Sequence, residues 1–309
     1  MGLVKLGRNY ILVLQKPNGG GTLTIQPPFT LEFDITRNNL TSCNVAQLKI
    51  YNLSAQNRNF LRYDFSNFDP LNQASVELRA GYGDTLAQVF AGNITQAYSV
   101  REGTNFITTI ESMDGSFAFT NGVSDRTFAA GTPYLNIYKA LISDLPGIQL
   151  GSISDNYVKD AAGTLFTTSR EFVASGNTAA LLGELTGGGF FIDKQTAFIL
   201  GDNFALDSAF TTVDASSGLL NTPILEQNMI NFDTIFEPRI QVCQYIRLIT
   251  STGTQIGAGA AATSINGSYK VCSVKHRGII SPVVSGDAVT SVGLYAGSAA
   301  LSIAGFANG

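Results

Sequence analysis

A single imidazole limits what this chain can do as a catalyst. His276 is the only histidine, so a Ser-His-Asp triad, a Cys-His pair or a multi-histidine metal site must be built around it or not at all. Cys272 and Cys243 fall in the same part of the chain, but structural zinc takes four ligands and no convergent fourth is evident. With Cys43 the thiols are odd in number and far apart, which fits neither a disulfide framework nor a CxxC knuckle and points to a reduced compartment. His276 therefore reads as a structural residue of a strand. Carboxylates are the second candidate set, because a facing pair can cleave a glycosidic bond as acid and base or nucleophile. Glu102, Glu111, Asp114, Glu171, Glu184 and Asp193 are scattered, mostly beside turns, and none lies in an acid-rich motif; each reads as solvated surface. Gly187-Gly188-Gly189 lacks the GxGxxG spacing and follows a helical pattern, so it reads as a helix terminator and not as a phosphate cradle. No catalytic, cofactor-binding or metal-binding residue is assigned.

Composition agrees with a non-catalytic role. The chain has 309 residues, 44% of them hydrophobic, enough for two or three cores. Charged residues make up only 14%, against about a quarter in an average domain, so much of the surface must be uncharged Ser, Thr, Asn, Gln and Gly. Such a surface suits protein contacts. The net charge is −4 and no Lys or Arg run occurs, which excludes sequence-specific DNA recognition. Met1–Asn9 carries Lys5 and Arg8 without an apolar stretch after them long enough for a signal peptide, and no 18-residue apolar run suits a membrane span. The Asn-x-Ser/Thr triplets at Asn39, Asn52, Asn93 and Asn266 are read as unmodified.

Two β-rich blocks flank a middle segment of a different kind. In the first, Phe29, Leu31, Phe33 and Ile35 alternate onto one side, as do Ala46, Leu48 and Ile50, the pattern of half-buried strands. Ser54 is placed to cap a short helix from about Ala55 to Arg62. Val76–Tyr82 and Val89–Ile94 form a strand pair about Gly83-Asp84, and Phe106–Met113 closes the block before Asp114-Gly115. In the middle, Thr132 caps and Pro133 opens a helix that places Tyr134, Tyr138, Leu141, Ile142 and Leu145 on one face until Pro146-Gly147. A second helix runs from Thr178 to Thr186 with Ala180, Leu181 and Leu185 inward, and Phe190–Asp193 and Ala197–Leu200 bracket a tight turn. Strands return in Asn231–Pro238, Ile246–Ser251, Gly267–Arg277 and Val289–Leu294. Thr252–Ser268 is too rich in Gly and Ala for regular structure and reads as a flexible loop. In Ser268–Lys275 the alternation puts Cys272 and His276 on the same strand face. Ala296–Gly309 is an arm or a tail.

The fold class is mainly β, α+β overall. The order Leu31-Glu32-Phe33-Asp34-Ile35, then Ala46–Ser54 ending in Tyr51-Asn52-Leu53-Ser54, then Val76–Tyr82 with Ala80-Gly81-Tyr82, then Phe90-Ala91-Gly92-Asn93-Ile94 resembles the first domain of baseplate hub proteins of contractile-tailed bacteriophages. Gly176-Asn177-Thr178 with its helix and Phe191-Ile192-Asp193 is similar to the module inserted in those hubs. Phe236-Glu237-Pro238, Asn266–Val271 and His276-Arg277-Gly278 resemble their closing domain. The resemblance spans nearly the whole chain. It implies two tube-like β-barrel or sandwich domains, 1–125 and 218–309, with a small α+β module, 126–217, inserted between them.

The same resemblance implies partners and place: a homotrimer whose six β domains join the sixfold tail tube ring to the threefold spike protein, beside neighbouring baseplate proteins. The protein would sit in the virion baseplate after assembly in the host cytoplasm. No region matches the lysozyme-like domain of some tail tips, so wall cleavage would belong to another protein. Exposed sheet edges would close the ring through backbone hydrogen bonds. A weakly charged, net acidic lumen would hold DNA poorly, because few cations replace the phosphate counterions; a Lys and Arg cluster facing the channel would contradict this. The rival readings are a tail tube or tube-initiator subunit, which needs one barrel per chain; a carbohydrate or receptor binder, at odds with the lack of Trp; and a hydrolase of the tail tip.

Overall fold

The computed structural model describes residues 7–61, 74–206, 211–250, 253–256, 265–296 and 302–304. Alternation builds the first block. Strands β1 (Arg8–Gln15), β2 (Thr22–Ile25), β3 (Leu31–Asn38) and β4 (Val45–Tyr51) precede helix α1 (Ala55–Leu61), and β5 (Ser75–Tyr82), β6 (Thr85–Glu102) and β7 (Asn105–Met113) follow it. Leu31, Phe33 and Ile35 of β3, Ala46, Leu48 and Ile50 of β4, and Val76, Leu78 and Ala80 of β5 are buried, while their neighbours face outward. They enclose one apolar cluster with Leu12, Leu14, Phe90 and Ile110. Ser54 caps α1 as expected, its Oγ accepting the Asn57 N–H at 3.2 Å.

The middle segment packs α2 (Ser116–Asn121), α3 (Tyr134–Ser143) and α4 (Thr178–Thr186) with β8 (Val123–Phe128), β9 (Gln149–Ile153), β10 (Phe172–Asn177), β11 (Phe190–Asp193) and β12 (Thr196–Ile199) around a second cluster. The turn between β11 and β12 has two residues, Lys194 and Gln195, both with positive φ (53° and 58°) and Asp193 opposite Thr196. That is the mirror-image turn whose twist matches a hairpin. Two local expectations need correction. Pro133, not Thr132, holds the N-cap position of α3, with extended φ and ψ of −61° and 135°; the Thr132 hydroxyl is already donating to Ala129 O at 2.7 Å. On α4 the fully buried residues are Thr178, Ala179, Leu182 and Thr186; Leu181 and Leu185 pack half-buried against the same cluster as expected, and Ala180 alone of the three predicted inward residues is exposed. Hydroxyls reach the core there because each has a partner: Thr178 with Ser124 at 2.8 Å and Thr186 with Leu182 O at 2.7 Å. Asn177 caps α4 through Ala180 N, and Gly187 ends it with a left-handed φ of 58°.

The last block contains β13 (Phe204–Leu206), β14 (Thr211–Val213), β15 (Ile224–Glu226), β16 (Met229–Ile235), β17 (Tyr245–Leu248), β18 (Thr254–Ile256), β19 (Gly267–Ile280), β20 (Ala288–Tyr295) and β21 (Ser302–Ala304). A third apolar cluster, with Ile230, Phe232, Ile246, Val271, Val274 and Leu294, lies beneath it. The Gly- and Ala-rich stretch is not all loop: Thr254–Ile256 pairs in parallel with Ile224–Glu226. Edge pairing supplies the hydrogen bonds that local propensity does not. Residues 257–264 lie outside the described set, as does most of the segment after Ala296; within that segment, Ser302–Ala304 pairs with Phe204–Leu206.

The two blocks are not separate sheets. Strand β19 pairs antiparallel with β3 from Ser273 opposite Asn38 to Ile280 opposite Leu31. One ladder thus runs β18-β15-β16-β20-β19-β3-β4-β7-β6-β5-β1-β2, with β17 and β14 branching from β19. A register shift between Val271 and Ser273 marks a bulge at Cys272. It breaks the expected alternation, so Val271 joins Val274 and His276 among the buried residues and Cys272 is only half-buried.

Candidate functional site

Where β3 meets the β11–β12 hairpin, a charged cluster is sealed from water. Arg37 continues the inward series Leu31, Phe33, Ile35 and is fully buried. Its Nε donates to Asp193 Oδ1 at 2.8 Å, one Nη to Asp193 Oδ2 at 2.7 Å and the other to Val89 O at 3.3 Å. Asn44 Nδ2 donates to Ile192 O and to Asp193 Oδ1 at 3.1 and 3.2 Å. Asp114, just beyond β7, accepts the turn's backbone N–H groups from Lys194 and Gln195, the latter at 2.8 Å. The hairpin of the middle segment is therefore bolted to the first block by a carboxylate from each side.

Of the six carboxylates singled out in the sequence, only Asp114 and Asp193 converge. Burial and the charge of Asp193 push Asp114 up to about 7, against the two N–H groups and Arg37. Burial also opposes ionisation of Asp193, but the Arg37 guanidinium overrides it and holds that carboxyl below the usual range. Divergent pKa values in a carboxylate pair are the mark of acid and base roles. Here, however, both residues are buried and every oxygen already accepts a donor, so this pair cannot receive a saccharide. Glu102, Glu171 and Glu184 are exposed and Glu111 is half-buried, in separate elements.

The histidine is just as enclosed, and of the thiols Cys243 is buried while Cys43 and Cys272 are half-buried. His276 is fully buried, with Nδ1 2.9 Å from Thr290 Oγ1 and its ring edge-on to Phe236 at 5.7 Å between centroids. Burial, with Arg37 and Lys194 nearby, holds it neutral far below its ordinary titration range. Burial pushes the Cys43 thiol up to about 11 and the Cys243 thiol up to about 12, and raises that of Cys272, the reverse of a reactive thiolate. Among the described residues no group of three or more His, Cys, Asp or Glu is placed to hold a metal ion.

The opposite face of the same sheet is open. Read across β16, β20, β19, β3, β4 and β7, one register row is Asp233, Ser291, Lys275, Thr36, Val45 and Met113. Two positions along, the row is Ile235, Val289, Arg277, Asp34, Gln47 and Glu111, extended by Gln96 of β6. All of these are exposed or half-buried, whereas the row between them, Thr234, Thr290, His276, Ile35, Ala46 and Ser112, is buried. Charges of opposite sign neighbour one another: Lys275 bonds Asp34 and Lys49 bonds Glu32, each at 3.1 Å. A shallow cavity of about 300 Å³ lies on this face at Thr36, Asn231, Asp233, Ser273 and Ser291. Gly293 floors it; a Cβ there would stand 2.4 Å from Ser273 Oγ. The face is a broad, mostly polar shelf, with Val45, Met113, Ile235 and Val289 as its apolar members, and without a concentrated cationic patch.

A two-block β chain, joined through one sheet and carrying an inserted helical segment, has known counterparts. The sequence profile of baseplate hub gp41 matches residues 12–274. The chain belongs to the baseplate hub gp41 family. Its role is accordingly that of a structural protein of the phage tail baseplate. No curated protein matches it. Among solved structures, the 43 kDa tail protein of prophage MuSo2 from Shewanella oneidensis superposes with a TM-score of 0.54 at 9% identity, over 92% of this chain and 97% of that one. The E. coli c3393 protein, a type VI secretion component described as structurally similar to the T4 tail proteins gp27 and gp5, gives 0.53 at 10% identity over 94% and 79%. The Francisella PdpA-VgrG complex in its lidded form gives 0.57 at 9% identity, over 99% of this chain and 55% of that one. At these identities the likeness is one of fold. Hub membership, the mainly β class and a place in the tail baseplate thus agree with the expectation from sequence.

The Arg37 anchor was missed in the sequence reading, yet a signal was there. Extending the inward parity of Leu31, Phe33 and Ile35 by two residues places a guanidinium in the core, and a buried charge demands a partner.

Proposed function

We propose that three copies of this hub form a ring that joins the sixfold tail tube to a threefold spike and encloses part of the channel through which DNA leaves. The carrying observation is the single sheet that runs through both β blocks, apolar beneath and polar above. A sheet buried on one face only needs either water or a lumen on the other. In this reading each chain supplies two tube-like β domains, 1–125 and 218–309, and the module 126–217 sits at their periphery. The three apolar clusters follow that division in the main, with Phe236 and Ile280 of the last segment joining the first cluster and Phe191 and Leu200 of the middle one joining the third. The likeness to proteins described with VgrG or with the T4 proteins gp27 and gp5 supports a spike below the ring. Tube ring, spike and neighbouring baseplate proteins are its partners, and assembly takes place in the host cytoplasm.

The polar shelf would face the lumen. Counterion release from DNA needs cations free to meet phosphates, and Lys275 and Lys49 are engaged with Asp34 and Glu32. Hydroxyls, amides and paired lysines leave a passing duplex little to grip, with Arg277, exposed opposite Asp34, the remaining cation of these rows. The experiment is cryo-microscopy of the tail together with native mass spectrometry of the purified chain. A threefold ring with Thr36, Gln47 and Lys275 toward the axis is expected. A monomer, or a ring with the helical module lining its axis, would overturn the reading.

A further inference from the structure

The sheet that carries the polar shelf ends sideways in an open edge, and that edge is built from one half of a divided strand. Strand β6 has 18 residues and shifts register between Ile94 and Gln96, a bulge at Thr95. Before the bulge, Thr85–Asn93 pairs with β5, and Val89, Phe90, Ala91 and Gly92 are buried. Beyond it, Gln96–Glu102 pairs with β7 on one side, and among the described residues no strand pairs with it on the other. Every residue from Tyr98 to Asn105 is exposed; Tyr98 keeps 42% and Val100 46% of its surface.

Isolated edges of this kind are normally blunted by charge, proline or brevity, because they template pairing with another chain. Gln96-Ala97-Tyr98-Ser99-Val100 has neither charge nor proline, charge entering this edge only at its end in Arg101 and Glu102, and its aromatic and β-branched residues favour extended pairing. At the other end of the ladder lies β18, Thr254-Gln255-Ile256, outermost beside β15 among the described residues and uncharged.

We propose that the Gln96–Glu102 edge of one copy takes the β15–β18 end of a second copy as its next strand. A partner from another protein would cover one end and leave the other open. A second copy covers both of these edges, since joining them head to tail closes into a ring; β2, the other terminus of the ladder, and β14 lie outside the junction. The polar shelf, which reaches from β16 to Gln96 in each chain, then becomes a continuous lining. This rests on the ring reading above and specifies which edges carry it.

The test uses the full chain. Tyr98→Lys with Val100→Lys puts two charges on the edge; native mass spectrometry should show loss of the oligomer, with far-UV circular dichroism unchanged and unfolding still cooperative, the melting temperature falling only by the lost association. Independently, Ser99→Cys with Gln255→Cys, in a background where the native cysteines are replaced, should form intermolecular disulfides under mild oxidant, and neither cysteine should do so alone. If the wild type assembles but the lysine variant assembles equally and the cysteine pair does not cross-link, the edge assignment is overturned while the ring reading stands. A wild-type chain that stays monomeric at every concentration overturns both.

Discussion

Asp193 receives Nε and an Nη of Arg37 at 2.8 and 2.7 Å, and the two residues stand 156 positions apart. The fork matches the carboxylate bidentately, so β3 and the β11–β12 hairpin are held in one orientation. Replacing Arg37 by Met would strand a buried carboxylate, at a cost of about 3–5 kcal/mol. Adding Asp193→Leu removes the stranded charge and should recover most of that loss. Denaturant midpoints of both single variants and the double variant check this. Additive losses would show that the pair is not coupled.

Asp114 gives the junction a pH dependence. Its folded pKa of about 7 lies above the ordinary 3.8, so the native chain keeps a proton that the unfolded chain releases. The contribution is complete below pH about 4 and is lost as pH rises to about 7, with a slope of at most about 1.4 kcal/mol per unit for one proton. His276, depressed in the folded state, acts the other way: its contribution is lost as pH falls below its ordinary value. Between about pH 4 and 6.5 the two oppose each other, so Asp114→Asn should leave the His276 loss uncompensated and steepen the fall in stability on acidification. Urea midpoints at half-unit pH steps resolve the two, and an unchanged profile in the variant would exclude Asp114 as the titrating group.

Much of this arrangement was legible in the sequence where one local rule decided the outcome. Two-residue alternation located β3 and β4, Ser54 marked the start of α1, and Gly187 marked the end of α4. It failed where two local answers were equally good. Ala179, Ala180, Leu181 and Leu182 offer α4 two apolar faces, and only the tertiary partners of Thr178 and Thr186 select one. It failed also where no local signal exists. Nothing near Cys272 announces a bulge, and a pairing such as β3 with β19 joins residues hundreds of positions apart. The carboxylates Asp114 and Asp193 looked solvated because each follows or ends a strand beside a turn. Their burial comes from the docking of one turn on another.

Gly81 tests how tightly the first block is packed. It lies on β5 opposite Leu86, and a Cβ there would stand 2.0 Å from Thr85 O. Backbone on both sides must part to admit it, since no flexible side chain can yield. Gly81→Ala should destabilise by about 1–3 kcal/mol, whereas Gly83→Ala, with nothing within 4 Å but a φ of 54°, should cost only the left-handed penalty of about 1 kcal/mol. Thermal unfolding of the two variants ranks them. Equal effects would mean that the β5–β6 ladder relaxes freely.

The polar shelf makes a quantitative claim about DNA. Each lysine that meets a phosphate displaces a counterion and steepens the dependence of log affinity on log salt by about 0.9. In the wild type Lys275 and Lys49 already bond Asp34 and Glu32, which leaves exposed Arg277 as the remaining cation of the shelf rows, so the assembled protein should show weak affinity for duplex DNA and a shallow slope. Thr36→Lys, Gln47→Lys and Asn231→Lys together replace three neutral side chains, exposed or half-buried on the open face, without removing any of those anions. The triple variant should bind duplex DNA with a slope steeper by about 0.9 for every lysine that engages. Fluorescence anisotropy with a short duplex, titrated with salt, measures both quantities. A wild-type slope of several units would mean that its cations already face phosphate, and the shelf would then be a gripping surface and not a sliding one.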